Sequence, residues 1–317
     1  MNDQNLVTAL DDDFHAPGDD PWQTETCWFS FNVPERAMAG WMYAWIRPNM
    51  KNSGGGVFVY DASGVSPWEL PYFQYQHCQP LEEEWDLRDF TFAQNYSVKM
   101  IEPLKRYELR YQDREHIRLD LQFDAIMDPH PFPVGDPPFV SSSHFDQAGR
   151  VTGEMMLRGE RIAIDCIGVR DRSWGPRLDH RGSRLGYSFG TVSEREGFCV
   201  FVLPSKLDAD GLEMIYHGYL LRDGRRTRIV SGSRSVQRDP STNHITAMQI
   251  RALDEEGREL VAYGTALSRM MMSVPRGTTL NTFLSWSIDG VSQHGHGEDQ
   301  DVWRYDQWRN AMDALRK

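Results

Sequence analysis

The sequence predicts an all-β protein of antiparallel hairpins closed into barrels, in two consecutive units, with one α-helix at its C-terminal end. Three observations predict it. Apolar and polar residues alternate with a period of two in hairpin after hairpin, the mark of half-buried strands. Hairpins starting near 40 and near 104 recur near 185 and near 244, a spacing of about 140 residues and therefore a weak repeat of domain size. Helical spacing appears only in the last segment, 301–317, where Val302, Tyr305, Trp308, Met312 and Leu315 share a face. Closing each sheet into a barrel removes the exposed edges that so many antiparallel strands would leave.

Taken in order, the first hairpin runs from Gly40 to Tyr60, with Asn52-Ser53-Gly54-Gly55-Gly56 expected in its turn. Tyr107, Leu109 and Tyr111 then alternate with Glu108, Arg110 and Gln112, and Ile117, Leu119, Leu121 and Phe123 with Arg118, Asp120, Gln122 and Asp124. Between Met127 and Ser143 stand prolines 129, 131, 133, 137 and 138, which excludes a central strand and predicts a connector or flap. The domain boundary is expected there, giving units 1–135 and 136–317. Leu185 to Leu203 forms a hairpin turning at Ser193–Gly197, and Ile245 to Leu267 another around Asp254–Gly257. The terminal helix is expected to pack outside the second barrel.

Composition narrows the function. A chain of 317 residues can bury a large core and form two domains. Its net charge of −12 argues against nucleic acid as a partner, because phosphate binding relies on clustered Lys and Arg. The acidic segment Met1–Asp13 lacks a signal-type apolar run, and no window reaches membrane-span length, so a cytoplasmic protein is expected. Cys27, Cys78, Cys166 and Cys199 are dispersed and suit reduced thiols rather than zinc or a disulfide framework. The ten tryptophans suit either an aromatic-lined pocket or a large β core. Oligomeric state is left open.

The densest chemistry lies in Gly168-Val169-Arg170-Asp171-Arg172-Ser173-Trp174-Gly175-Pro176-Arg177. Together with the upstream "HFDQAGRVTGEMMLRGERIAIDC" and the downstream "WSIDGVSQHGHGEDQDVW", this stretch resembles the superfamily of carotenoid 1,2-hydratases (hydroxyneurosporene synthases). That superfamily also holds uncharacterised bacterial proteins and fungal cyclase and Diels-Alderase relatives. The resemblance to the uncharacterised branch covers most of the chain; that to the hydratases rests on Asp-x-x-Trp-Gly and the layout of strands. It implies two tandem lipocalin-like barrels that act on or hold greasy molecules.

Hydration of an isolated alkene, its reversal, or a cyclisation needs a proton donor near carbon and a surface that stabilises a carbocation. A carboxylic acid kept neutral by burial supplies the first and an indole face the second. Asp171 and Trp174 offer one of each, provided that a turn at Gly175-Pro176 brings two positions of opposite strand parity to one ligand. Arg170, Arg172 and Arg177 open another reading, in which Asp171 is bonded to a guanidinium and the motif is a structural clasp. Asp165 is a second candidate acid. His180, Tyr187 and His217 could orient water or a hydroxyl, and Arg170 and Arg177 could hold the site.

A second polar stretch carries Trp286, Asp289, His294, His296 and Glu298, with Trp286 and Asp289 as candidate substrate contacts. Its two histidines lack a fixed third ligand, so no metal is expected, and no cofactor motif is present. The leading expectation is a cofactor-independent hydratase, dehydratase or cyclase for a terpenoid- or steroid-like hydrophobic molecule. A non-catalytic carrier of a lipophilic ligand is the alternative.

Overall fold

The computed structural model describes residues 7–81, 86–92, 95–132, 135, 139, 141–178, 184–207, 211–274 and 277–315. The chain is all-β and lipocalin-like: a curled open sheet, a closed barrel and one terminal helix. It divides into two compact units. The first comprises Met1–Val33, Ala39–Val59 and Pro71–Leu178, and the second comprises Pro34–Met38, Tyr60–Leu70 and Asp179–Lys317.

The first unit is built on β1 (Gln23–Val33), β2 (Met38–Arg47), β3 (Asn52–Tyr60), β4 (Tyr72–Pro80), β5 (Asp89–Thr91), β6 (Tyr96–Glu102), β7 (Arg106–Asp113), β8 (Ile117–Ala125), β9 (His130–Phe132), β10 (Ser143–Leu157) and β11 (Glu160–Pro176), the end residues Met38 and Tyr60 belonging to the second. Its strand order is β4-β3-β2-β1-β11-β10-β8-β7-β6-β5, with β9 paired to β10. First and last long strands are neighbours, as in a barrel, but the ring stays open between β4 and β5 among the described residues.

The expected boundary at 135 moves to Leu178. β10 and β11 follow the proline-rich segment yet pair with β8 and β1, so that segment joins two strands of one sheet. The turn expected at Asn52–Gly56 also moves: Pro48–Met50 and Lys51 (φ 51°) make it, while the glycines lie inside β3. A Cβ on Gly54 would sit 2.3 Å from the Trp45 ring, and one on Gly55 (φ 133°) 2.2 Å from the Tyr43 carbonyl oxygen. Those glycines admit close packing rather than a reversal of the chain.

The second unit closes as β12 (Leu185–Ser193), β13 (Glu196–Leu207), β14 (Glu213–Arg222), β15 (Arg225–Arg238), β16 (Ile245–Asp254), β17 (Glu259–Val274), β18 (Gly277–Ile288) and β19 (His294–Arg304), with β19 paired back to β12. Inward-facing Phe198, Val200, Ile250, Ala262, Leu284 and Trp286 fill one end of this barrel. α1 spans Tyr305–Leu315, starting later than the periodicity predicts because Asp301–Arg304 remain in β19. Trp303 and Trp308 meet edge to face at 5.6 Å.

Candidate functional site

β11 runs without a break through the motif to Pro176, in register with β1 from Arg170 to Pro176 and with β10 as far as Trp174. Successive side chains therefore point to opposite faces of the sheet. Arg170, Arg172 and Trp174 share one face, and Asp171 and Ser173 the other.

The arginine face lies inside the curled sheet. Arg170 is 1% exposed and donates to Asp12 Oδ1 and Gln147 Oε1, both at 2.8 Å, with its guanidinium 4.3 Å from the Tyr107 ring centroid. Tyr107 and the Leu104 amide donate to the other oxygen of Asp12. Arg172 donates to Glu25 at 2.9 Å and to the carbonyls of Thr26 and Asp13. Removing a buried charge from such a set leaves its partner unpaired, so these pairs specify the packing of the N-terminal segment. Trp174 stacks on His15 at 4.5 Å on this same side. The turn that would have brought Trp174 to Asp171 is absent, because β1 and β10 together hold Arg170–Trp174 in the sheet and β1 continues to pair with Gly175 and Pro176.

Asp171 faces a different group. Directly opposite residues on paired strands share a face, which aligns His130, Asp146, Asp171 and Trp28 in one row across β9, β10, β11 and β1. The next row is Phe132, His144, Ser173 and Thr26. His144 and Asp146 bond through Nε2 and Oδ1 at 3.1 Å, and the His144 ring stacks on Phe139 at 4.2 Å. Arg177 reaches the same side, donating to Ser173 Oγ at 2.7 Å with its guanidinium 5.1 Å from the Phe139 ring. Trp28 meets Trp41 at 5.2 Å, and Trp41 meets Phe58 at 5.2 Å, so an aromatic track leads away from the carboxylates.

Asp171 is half-buried, and among the described residues no guanidinium lies within ion-pairing distance of its carboxylate. Burial pushes its carboxyl up to about 6; the Asp146 charge adds to the rise, while His144, Arg177 and Arg172 oppose it. A carboxyl raised that far keeps its proton in mildly acidic solution, where an ordinary aspartate has already lost it.

His144, Asp146 and Asp171 bring one ligand atom each to within 4.8 Å of one another, and their donor types suit a divalent cation. The His144–Asp146 hydrogen bond aims two of those atoms at each other, a geometry that equally permits proton transfer within the trio.

The other candidates lie elsewhere. Asp165 is solvent-exposed and clasped by Arg150 at 2.8 and 2.9 Å, whose hydrogen bonds hold its carboxyl below the usual range. His180 lies outside the described residues. Tyr187 and His217 belong to the second unit, on the outward face of its barrel, flanking Phe201 at 4.6 and 5.9 Å. Trp286 packs inside that barrel against Phe198 at 4.9 Å, and Asp289 is exposed in the β18–β19 turn. His294 is exposed, while Glu298 accepts a hydrogen bond from Tyr60 at 2.8 Å.

Sequence reasoning missed His144, Asp146, His130 and Trp28. The i, i+2 spacing of His144 and Asp146 in a strand was their available signal; the pairing with Trp28, far upstream, had none.

The chain thus presents a lipocalin-like scaffold with a carboxylate pair, an imidazole and an indole on one sheet face. The chain matches the family described as "Domain of unknown function (DUF7064)" over residues 8–299 and belongs to that family. No curated protein matches it. Among solved structures it is similar to CghA (12% identity, TM-score 0.60, covering 90% of this chain and 89% of that one), which has also been solved with Sch210972. It is similar as well to kievitone hydratase from Nectria haematococca (11% identity, TM-score 0.53, 98% and 96%) and to an AttH candidate from Nitrosomonas europaea (11% identity, TM-score 0.58, 95% and 98%). At these identities the likeness establishes the fold.

Proposed function

We propose that this chain is a cofactor-independent hydratase, dehydratase or cyclase for a hydrophobic small molecule, with Asp171 as the proton donor. The observation that carries this reading is the single lateral row in which Asp146, Asp171 and Trp28 stand side by side on one face of the sheet. Protonated Asp171 gives its proton to an alkene carbon, and the resulting cation lies against the Trp28 indole. Water adds to the cation and loses a proton to the Asp146 carboxylate, which is held by His144; transfer of that proton across the pair restores Asp171. Dehydration is the reverse, and in cyclisation an internal alkene replaces water as the nucleophile. Arg177 and Phe139 border the same group. The names of kievitone hydratase and CghA, the latter solved with a small molecule, support small-molecule chemistry on this fold.

The test is incubation with a panel of prenylated phenols, linear terpenes and polyenes in 18O-labelled water, with mass spectrometry of the products. Gain of labelled water, or an isomer of unchanged mass, made by the wild type and lost in Asp171→Asn is the expected result. Products formed equally by Asp171→Asn would refute the assignment, and ligands retained but recovered unaltered by the wild type would leave a carrier.

A further inference from the structure

The second unit carries a polar chamber that the reading above does not use. At the end of the barrel where β12 begins and β19 ends, Arg269, Thr282, Asp299 and Ser188 form one inward-facing row across β17, β18, β19 and β12. Asp301 lies one step nearer the rim, bonded by Arg184, Arg238 and the Trp303 indole N–H. Arg234 donates to Asp299, Ser188 and Glu213. Those bonds match three arginines to the carboxylates of Glu213, Asp299 and Asp301. Arg269 is the fourth arginine, half-buried, and has no hydrogen bond or ion pair among the described residues.

Unpartnered polar atoms collect around it: Asp299 Oδ2 and Thr282 Oγ1 in its own row, and donors in the neighbouring β15–β16 turn. His244, in the β15–β16 turn, is 3% exposed, and neither of its ring nitrogens has a hydrogen-bond partner among the described residues. The side-chain nitrogen of Asn243 and Nη2 of Arg238 are buried and likewise unpartnered. Burial and the neighbouring Arg269 charge lower His244 to about 4, so its neutral ring offers one N–H at neutral pH. Asp239, the acid of this turn, turns Oδ1 to the Ser241 and Thr242 amides and the Ser241 hydroxyl. A buried donor left unmade costs about 1–3 kcal/mol, and native proteins tolerate few of them. Three in adjacent side chains beside an unmatched guanidinium describe a cradle lacking its acceptor.

We infer that this end of the barrel binds a small oxyanion, the carboxylate or phosphate group of a metabolite, held by Arg269, Arg238, Asn243 and His244. One multidentate anion accepts from all of these donors together and balances the fourth arginine, whereas a single neutral water accepts only two hydrogen bonds and leaves that charge unmatched. The site stands independently of the acid–base group in the first unit.

Titration calorimetry of the full chain with inorganic phosphate and, separately, sodium propionate tests it, alongside Arg269→Gln, whose replaced side chain breaks no bond in the fold. Saturable one-site uptake of either probe, weakened about ten-fold or more in Arg269→Gln with an unchanged unfolding midpoint, is expected; the probe preferred by the wild type identifies the source. NMR of 15N-histidine-labelled wild type gives a second reading, in which the His244 signals move along the same isotherm. No saturable uptake with a static His244 signal would mean that water fills the cradle, and uptake undiminished in Arg269→Gln would place the anion elsewhere; either overturns the inference.

Discussion

Replacing Asp171 by Asn should stabilise the protein at alkaline pH and leave its stability unchanged in acid. The carboxyl rises from its ordinary 3.8 to about 6 in the folded chain, chiefly through burial. A rise of that size corresponds to about 3 kcal/mol, and solvent contact at a half-buried position brings the measured difference to roughly 1–3 kcal/mol. Below pH 3.8 the group is protonated folded and unfolded, so Asn costs and gains nothing. Between there and about pH 6 the unfolded chain releases its proton while the folded chain keeps it. Above that, both are ionised, and the folded wild type bears the whole penalty of a buried charge that Asn lacks. Urea unfolding of both proteins at pH 4 and pH 8, followed by near-UV circular dichroism, reads the difference directly. Equal stability at pH 8, or a less stable Asn variant there, would show that a partner holds the carboxylate ionised, and the proton-donor argument would fall with it.

Asp146→Asn removes the neighbouring charge that helps raise Asp171, so the pH at which catalysis loses its acid should move down; a pH–rate profile with an unmoved alkaline limb would exclude coupling between the two carboxylates. Trp28→Ala should abolish turnover while Trp174→Phe retains it, because only Trp28 shares the Asp171 face; the opposite ranking in a product assay would return the indole role to Trp174. Asp12→Asn strands the Arg170 charge and should destabilise the first unit by about 3–5 kcal/mol, lowering its thermal midpoint by roughly 6–20 °C; a midpoint within a degree of wild type would contradict the pairing. Dialysis against a chelator should leave turnover and the thermal midpoint unchanged, and a fall restored by zinc or iron would instead assign His144, Asp146 and Asp171 to a cation.

Strand periodicity in Tyr107–Phe123, the reversals at Ser193–Gly197 and Asp254–Gly257, and the helical stripe at the end were legible because each is a local preference written within about ten residues. The glycine run 52–56 misled because glycine serves both turns and close packing, and only the contacts of Trp45 and Tyr43 distinguish the two. The boundary misled for a similar reason: prolines mark a break in a strand but carry no record of which strands meet beyond it.

By itself the sequence determined an all-β chain and a motif of alternating charge in which Asp171 stands apart from its neighbours. Alternation alone assigns Arg170 and Asp171 to opposite faces. Tertiary structure decided which face meets what: Asp12 and Glu25 neutralise the arginines on one side, leaving Asp171 to Asp146, His144 and Trp28 on the other. Strand pairing joins residues more than a hundred positions apart, and its register follows from the burial of whole sheet faces, a property that no local segment contains.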